Sequence, residues 1–429
     1  MRGGGDCTIF QVPMPSIIRT LSTAAALSLA IAIAAAPGTE HRASASTLAP
    51  DIQMLESPAG PGASEPNLTV GPDGRVYLSW MEPAPDSATS LKFASFDGSK
   101  WTAAQPIQTT RDFFVNWADF PSLAVQKNGR MAAHWLQRFG KTSYAYDVRI
   151  AQSADGGKTW GTPFAPHADR SATEKGFVTL WRDGDGFGAV WLDGRKADKA
   201  GKNPVQEMML FATTFGTSGT PAKETALDAR TCDCCQTTAA MTTDGPVVVY
   251  RDRSPNEIRD IYVTRRVRGT WTEPKALFAD GWEINACPVN GPSIDAAGRN
   301  VVVAWYTGAK DVPHVKVAFS SDAGATFSAP ITLDEGNPAG RVAAGLLKDG
   351  SALVSWIERT RGDTASVRVR RVSEKAGAGA PSTVAASSAA RASGFPRMVI
   401  ANGNAYFAWT VPGRPSTVRV ARANGAGFR

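Results

Sequence analysis

The amino-acid sequence predicts an all-β protein, a β-propeller with seven blades. The first observation is a strand signature that occurs seven times, a run of β-forming residues that ends on an aromatic side chain. These aromatic ends are Trp80, Trp135, Trp191, Tyr250, Trp305, Trp356 and Trp409. The second observation is their spacing, which lies between 51 and 59 residues. A period near 50 residues with several strands in each unit is typical of propeller blades.

Each repeat contains the strands that a four-stranded blade needs. The fifth repeat shows them in order as GPSIDAAG, NVVVAW, HVKVAFS and APITLD. Apolar and polar residues alternate within such short runs, as they do in half-buried strands. We expect the aromatic residue at the end of each second strand to pack between neighbouring blades, because the space between two sheets needs large side chains.

The two ends of the propeller region predict how the ring closes. The seventh repeat stops at Arg429, where its fourth strand is expected, and residues 51–55 (DIQML) resemble the outer strands PIQTT and PITLD. We therefore expect Asp51–Leu55 to complete the last blade, which leaves no exposed sheet edge. The segments after Phe211 and Ser373 are irregular, so six blades is the alternative.

The first 45 residues predict a signal peptide and a short leader, and residues 46–429 the propeller. Leu21–Ala36 is apolar and is followed by Ala43-Ser44-Ala45, a small-residue cleavage pattern. Its 16 residues are fewer than the roughly 20 of a spanning helix, so no membrane span is expected after cleavage. The sequence thus predicts a periplasmic or secreted protein. A net charge of +7 without any run of Lys or Arg disfavours nucleic acid as a partner.

Two eight-residue segments connect this chain with a known family. Ser153–Trp160 (SADGGKTW) and Ser320–Phe327 (SSDAGATF) share the pattern Ser-x-Asp-x-Gly-x-Thr followed by an aromatic. This pattern resembles the Asp box, or BNR repeat, of sialidases and related propellers. The whole chain is similar to exported bacterial sialidase-family proteins of undefined activity. The resemblance implies the propeller fold for residues 51–429 and gives the Asp boxes a structural, not a catalytic, role.

The resemblance also sets an expectation for the chemistry. Sialidases use an arginine triad, a Tyr-Glu nucleophile pair and an aspartate acid, and their rings have six blades. Their first arginine usually lies in an Arg-Ile-Pro segment, which this chain lacks. If the protein is an enzyme, the resemblance implies a glycoside hydrolase of the exo-sialidase type, but the missing segment puts the catalytic set in doubt.

Charged residues follow the aromatic strand ends and predict a polar site on one face of the ring. Four of the seven residues two places beyond the aromatic are acidic: Glu82, Asp193, Asp252 and Glu358. The densest cluster runs from Tyr250 to Asp260. Its predicted catalytic residues are Tyr250, Asp252, Glu257 and Asp260, and the predicted binding residues for an acidic glycan are Asp193, Arg195, Arg251, Arg253 and Arg259. The alternative is a network of charges that pair with one another.

Cysteine gives the sharpest local signal. Cys232, Cys234 and Cys235 lie in TCDCCQT, and Cys287 lies in NACPVN. Both segments precede the innermost strand of adjacent blades, so we expect the four thiols to converge. Disulfide or redox use is one interpretation, although bridges within TCDCC are expected to be strained. Binding of a soft metal ion, copper or zinc, is the other.

These observations leave three functions open. The first is binding or hydrolysis of an acidic glycan, or of another small anionic ligand. The second is a metal-binding or redox module that uses the cysteines, and the third is an interaction scaffold without catalysis. The sequence identifies neither a protein partner nor an oligomeric state.

Overall fold

The computed structural model describes residues 50–139, 145–197 and 207–429, and it is almost entirely β-structure. The predicted signal peptide and leader lie outside the described residues. Among the described residues, no helix is long enough and apolar enough to cross a membrane. The only helical segments in this part of the chain are four single turns: Pro85–Ser87, Ala309–Asp311, Arg391–Ser393 and Gly425–Gly427.

The strands form seven antiparallel sheets, which are the blades. The chain begins with β1 (Ile52–Leu55). Blade one contains β2 (Ser64–Val70), β3 (Val76–Pro83), β4 (Thr89–Phe96) and β5 (Gln105–Thr110). Blade two contains β6 (Ser122–Val125), β7 (Met131–Arg138) and β8 (Tyr146–Ser153). Blade three contains β9 (Lys175–Asp183), β10 (Gly186–Asp193), β11 (Met208–Phe215) and β12 (Thr225–Thr231).

The second half of the ring repeats this arrangement. Blade four contains β13 (Thr238–Thr242), β14 (Gly245–Arg251), β15 (Ile261–Val267), β16 (Thr270–Trp271) and β17 (Lys275–Ala276). Blade five contains β18 (Ser293–Ala297), β19 (Asn300–Thr307), β20 (His314–Ser320) and β21 (Ile331–Thr332). Blade six contains β22 (Pro338–Leu346), β23 (Ala352–Arg361), β24 (Thr364–Ser373), β25 (Gly377–Ala378) and β26 (Ser382–Ser388). Blade seven contains β27 (Arg397–Ala401), β28 (Asn404–Val411) and β29 (Thr417–Asn424).

The ring closes as the sequence predicts. Strand β1 pairs with β29, so the last sheet has the order β1-β29-β28-β27. The register places Ile52 opposite Ala423 and Leu55 opposite Val420. The chain start thus supplies the outer strand of the seventh blade, and the prediction of seven blades is confirmed.

The aromatic strand ends form the packing between blades. Trp80 packs with Tyr406 and Val420 of blade seven, and Trp135 packs with Leu91 and Phe93 of blade one. Trp80, Trp135, Trp191, Trp305 and Trp356 are each at most 1% exposed. Truncating such a side chain to alanine costs about 3–5 kcal/mol of stability, since it leaves a cavity between two sheets.

The two segments with the Ser-x-Asp-x-Gly-x-Thr pattern fold into the same turn, one in blade two and one in blade five. In the first, the amide of Gly157 donates to Ser153 Oγ at 2.8 Å and the amide of Thr159 donates to Asp155 Oδ1 at 2.9 Å. The second repeats these bonds with Ser320 and Asp322 as acceptors. Gly157 has φ of +86°, and a Cβ there would lie 2.2 Å from the ring of Phe93, so only glycine fits.

The first strands of the blades line the central channel. They surround a cavity of about 330 Å³ that Asn67, Thr179, Thr237 and Ser293 help to line. The segment with three cysteines lies immediately before β13, and Cys287 lies before β18. The fold therefore places both cysteine segments where the chain enters the innermost strands of blades four and five.

Candidate functional site

The thiols converge in one place, as the spacing of the repeats predicts. The Sγ atoms of Cys232, Cys234 and Cys235 all lie within 4.8 Å of one another. Cys232 Sγ is 2.8 Å from Cys235 Sγ and 3.9 Å from Cys234 Sγ. The Sγ of Cys287 lies within 4.8 Å of that of Cys234. All four are free thiols, so the described chain contains a cluster of four sulfur atoms.

Hydrogen bonds fix both ends of the loop that carries three of these thiols. The amide of Cys232 donates to the carbonyl of Arg251 at 3.0 Å. At the other end, Gln236 Nε2 donates to the Ala118 carbonyl at 2.6 Å, and its Oε1 accepts the amide of Gly291 at 2.9 Å. Gln236 thus connects three blades near the channel. The loop is held by the ring rather than projecting from it.

Burial divides the four cysteines into inner and outer ones. Cys232 is 0% exposed and Cys235 is 2% exposed, whereas Cys234 is half-buried and Cys287 is exposed. Asp233 lies among them, with its Oδ1 4.0 Å from Cys287 Sγ. The cluster therefore extends from the protein surface to its interior.

Arg259 gives the inner thiols their electrostatic environment. Its Nη1 lies 3.4 Å from Cys232 Sγ and 3.1 Å from Asp233 Oδ1, and its Nη2 donates to Glu257 Oε2 at 3.0 Å. Burial opposes ionisation of Cys232. Hydrogen bonds from Cys234 and Cys235 and the charges of two arginines outweigh burial, and they hold the pKa of Cys232 well below its ordinary value.

The other two thiols of this loop shift in the opposite direction. Hydrogen bonds to Cys232 and Cys235 raise the pKa of Cys234 well above its ordinary value, and burial does the same for the pKa of Cys235. Of these three thiols, Cys232 is therefore the one that loses its proton most readily.

Arg251 is buried, and its guanidinium binds backbone carbonyl groups. Its guanidinium donates to the carbonyls of Asn290 at 2.8 and 2.9 Å, Tyr306 at 2.6 Å and Arg259 at 2.5 Å, and it is 2% exposed. It also lies 4.8 Å from the centre of the Trp282 ring. These contacts occupy the guanidinium inside the protein, so Arg251 ties blade four to blade five and is not available to a ligand in this structure.

Glu257 binds the side chains of three arginines. It accepts hydrogen bonds from Arg253 at 2.9 to 3.1 Å, from Arg230 at 3.1 Å and from Arg259 at 3.0 Å. Partial burial raises its pKa, but the bonds from Arg253 and Arg259 outweigh this and hold the pKa of Glu257 below its ordinary value. Glu257 is therefore a carboxylate that organises arginines. The charges of this loop pair with one another, as in the alternative interpretation of the sequence.

Tyr250 and Asp252 form a separate polar group. The Tyr250 hydroxyl donates to Asp228 Oδ2, and the tyrosine is 1% exposed. Burial, followed by the nearby charge of Asp228, raises the pKa of Asp252 to about 7. Asp252 can thus keep its proton near neutral pH, which suits a general acid.

Asp260 fixes the segment that leads to Cys287. Its Oδ2 accepts the amide of Gly281 at 2.9 Å, and its Oδ1 accepts the amide of Trp282 at 3.0 Å. Asp260 is 5% exposed, so these bonds are largely protected from water. The carboxylate positions a loop and leaves little surface for a substrate.

Asp193 and Arg195 lie in blade three and pair with each other. Arg195 donates to both carboxylate oxygens of Asp193, at 2.7 and 2.9 Å, and to Glu224 at 2.7 Å. Asp193 also accepts the indole N–H of Trp191 at 2.9 Å.

The same indole-to-carboxylate bond joins Trp80 to Glu82 at 2.6 Å and Trp356 to Glu358 at 2.5 Å. Three of the four acidic residues after the aromatic ends, Glu82, Asp193 and Glu358, therefore satisfy buried indole groups.

Three residues of this site are not among the sequence predictions. Asp228 binds Tyr250 from 22 residues earlier in the chain, and Trp282 stacks on Arg251. Asp233 could have been found, since it stands inside TCDCC itself. The other two carry no local signal, because their partners lie on other strands.

The comparisons with known proteins give similarity of fold only. No family model matches the sequence, and no curated protein matches it. A Hadza microbial sialidase is 15% identical, with 69% of this chain and 63% of that chain covered and a TM-score of 0.40. This chain thus spans less than two thirds of that sialidase. A protein of unknown function from Dyadobacter fermentans is 16% identical, with 87% and 98% covered and a TM-score of 0.45.

A third solved structure belongs to another kind of enzyme. The polysaccharide lyase Uly1 is 10% identical, with 84% of this chain and 90% of that chain covered and a TM-score of 0.49. Sialidases and a polysaccharide lyase are therefore among the solved structures to which this seven-bladed β-propeller is similar in fold.

Proposed function

We propose that the protein binds a soft metal ion, copper(I) or zinc(II), through Cys232, Cys234 and Cys235. The observation that carries the proposal is that three thiol sulfurs lie within 4.8 Å of one another in a loop fixed at both ends. Soft thiolate ligands favour copper(I) and zinc over hard cations such as magnesium and calcium.

The sulfur spacing suits such an ion. A metal–sulfur bond of about 2.3 Å places neighbouring sulfurs of a tetrahedral site about 3.8 Å apart. Cys232 and Cys234 Sγ are 3.9 Å apart, so this pair needs no movement. Cys232 and Cys235 Sγ are 2.8 Å apart, and this pair has to open by about 1 Å, which a change of one side-chain torsion can supply.

Charge supports the same conclusion. Metal ligands have to be deprotonated, and the Arg259 guanidinium at 3.4 Å favours the thiolate form of Cys232. Arg251 adds a second positive charge nearby. Because both arginines are held by protein groups, they stabilise the thiolate without any rearrangement.

The test is metal binding by the reduced protein under argon. The protein is titrated with copper(I) in competition with a coloured copper(I) chelator, and separately with zinc(II). We expect one tightly held ion, and we expect Cys235→Ser to weaken its binding by more than about 100-fold, since even the loss of a supporting residue costs 10- to 100-fold.

The control for this titration is Asp244→Ala, which removes the partner of the exposed Arg299 and leaves the cluster intact. It should bind like the wild type. If the reduced wild-type protein leaves both metals with the competing chelators, the proposed function is wrong.

An acidic glycan is the second candidate ligand. The observation in its favour is Asp252, whose pKa of about 7 provides a protonated carboxyl group beside the Tyr250–Asp228 pair. The pairing of Arg195, Arg253 and Arg259 with protein carboxylates weighs against a sugar-acid site. A panel of acidic oligosaccharides, assayed for binding and cleavage with wild type and Asp252→Asn, decides this: activity lost in the variant supports the glycan, and an inactive wild type rejects it.

Export is part of the proposal. The apolar segment Leu21–Ala36 supports a periplasmic or secreted location. In such a compartment the thiols would meet oxidants, so the metal is expected to protect them. Purification of the protein from its native compartment, followed by elemental analysis, measures this directly.

A further inference from the structure

We propose that Cys287, Asp233 and Cys234 form a second, outer position for the same soft ion, from which the ion moves to the inner cysteines. This inference rests on the proposed function, because it concerns how the inner thiols are loaded. We call the group Cys232, Cys234 and Cys235 the inner site, and the group Asp233, Cys234 and Cys287 the outer site.

The two sites overlap at one residue. The potential ligand atoms of the outer site lie within 4.8 Å of one another, as do those of the inner site, and Cys234 belongs to both. Asp233 Oδ1 and Cys287 Sγ are 4.0 Å apart, and an oxygen and a sulfur bound to one tetrahedral ion lie about 3.6 Å apart. An ion could therefore bind at either site while it keeps its bond to Cys234.

The difference in burial indicates which of the two sites an ion from solvent reaches first. Cys287 is exposed and Asp233 and Cys234 are half-buried, whereas Cys232 and Cys235 are fully buried. An ion that arrives from solvent therefore meets the exposed Cys287 and the half-buried Cys234 before the buried Cys232. Exposure thus makes the outer site the receiving one.

Anchors on both sides of Cys287 keep the two sites distinct. Asp260 holds the amides of Gly281 and Trp282, and Arg251 holds the carbonyl of Asn290. Among the described residues, Cys287 groups with Asp233 and Cys234 but not with Cys232 or Cys235. With the loop held in this way, Cys287 lies outside the group that the three inner thiols form.

The transfer is a ligand exchange in which the copper remains copper(I). The bonds from the ion to Asp233 oxygen and Cys287 sulfur break, bonds to the sulfurs of Cys232 and Cys235 form, and the bond to Cys234 sulfur remains. The proton of the Cys235 thiol passes to the released Cys287 thiolate. Asp233 then keeps its ion pair with Arg259, at 3.1 Å.

The test compares Cys287→Ser with wild type in reduced, copper-free protein. Copper(I) is supplied as a chelator complex, and both the number of ions bound at excess copper and the rate of loading are measured. At excess copper both sites fill, and the sulfur of Cys234 bridges the two ions. We therefore expect two ions per wild-type chain and one per variant chain, with loading slowed at least about tenfold and the affinity for the tightest ion changed less than about threefold.

Asp233→Asn is the second variant, since it keeps the shape of the side chain and removes the carboxylate charge. It should also lose the weaker ion and keep the tighter one. Circular dichroism and thermal unfolding confirm that both variants fold.

Three outcomes would overturn the inference in different ways. Equal loading rates and ion counts in wild type and Cys287→Ser would show that Cys287 binds no ion. Loss of the tightest ion in Cys287→Ser would show one site made from all four thiols. Absence of copper from the wild type would reject the proposed function and this inference together.

Discussion

Replacing Asp260 by alanine should destabilise the protein by about 3 kcal/mol. The carboxylate accepts the amides of Gly281 and Trp282 at 2.9 and 3.0 Å. Trp282 is 7% exposed, so its amide loses its partner in a place that water reaches poorly, at a cost of about 2 kcal/mol. Gly281 is exposed, and its amide can turn to water, which limits that loss to about 1 kcal/mol.

Asparagine at the same position separates charge from hydrogen bonding. Its single carbonyl oxygen can accept the Trp282 amide, while its amino group has to face the Gly281 amide. We therefore expect Asp260→Asn to cost about 1 kcal/mol, less than alanine does. The control is Asp244→Ala, which removes a salt bridge to an arginine that is 54% exposed and should cost less than about 1 kcal/mol.

The assay is urea unfolding followed by tryptophan fluorescence, with the free energy of unfolding extrapolated to zero urea. The same three variants are then titrated with copper(I). Asp260→Ala should bind the second ion more weakly, since Cys287 loses one of its anchors. If Asp260→Ala is as stable as Asp244→Ala, or if alanine and asparagine have equal effects, our interpretation of Asp260 is wrong.

Two further predictions concern pH and oxidation. Burial raises the pKa of Asp252 to about 7 from its ordinary value of 3.8, so the folded protein binds more protons than the unfolded one between these values. Its free energy of unfolding should therefore fall as pH rises from 4 to 8, by about 4 kcal/mol for this group. Asp252→Asn should show a smaller fall in urea unfolding, and an identical pH profile would contradict the assignment. Secondly, oxidised glutathione should link Cys232 to Cys235, with two protons and two electrons passing to the glutathione disulfide. Peptide mapping should find this bridge in wild type and in Cys234→Ser, copper(I) binding should stop until the protein is reduced, and a bridge from Cys234 to Cys287 would count against it.

The sequence predicted the fold well because the fold depends on positions that repeat. Trp80 and Trp305 lie at the same place in their blades, and a large buried side chain is needed there in each blade. Ring closure was also readable, since residues 51–55 resemble the other outer strands and β29 needs a partner. The same spacing predicted that the cysteine loop and Cys287 lie at adjacent blades.

The repeating sequence pattern could not predict the partners of the charged residues. Arg251 turns inward to three carbonyl groups, and nothing in its neighbourhood along the chain distinguishes it from Arg253, which binds Glu257. Asp228 reaches Tyr250 only because β12 and β14 lie close together at this point. Such contacts depend on tertiary structure rather than on local pattern.

The cysteine loop also contains a contact that the sequence could not reveal. The closeness of Cys232, Cys234 and Cys235 along the chain suggested that any bridge among them would be strained. The structure places Cys232 and Cys235 Sγ 2.8 Å apart, because the turn between them brings the first and fourth residues together. Backbone turns of this kind decide which thiols meet, and residue types alone do not reveal them.

The closure of the ring by β1 has a consequence for how the protein folds during synthesis. Gln53 and Arg422, which hydrogen-bond to each other at 2.8 Å, are 369 positions apart along the chain. The ribosome makes β1 near the beginning and its partner β29 near the end. The ring therefore cannot close until nearly all of the chain is available. Contacts of such long range form slowly. The cysteines are synthesised well before that point. A newly made chain therefore passes through a period in which all its thiols are present while the ring around them is still open.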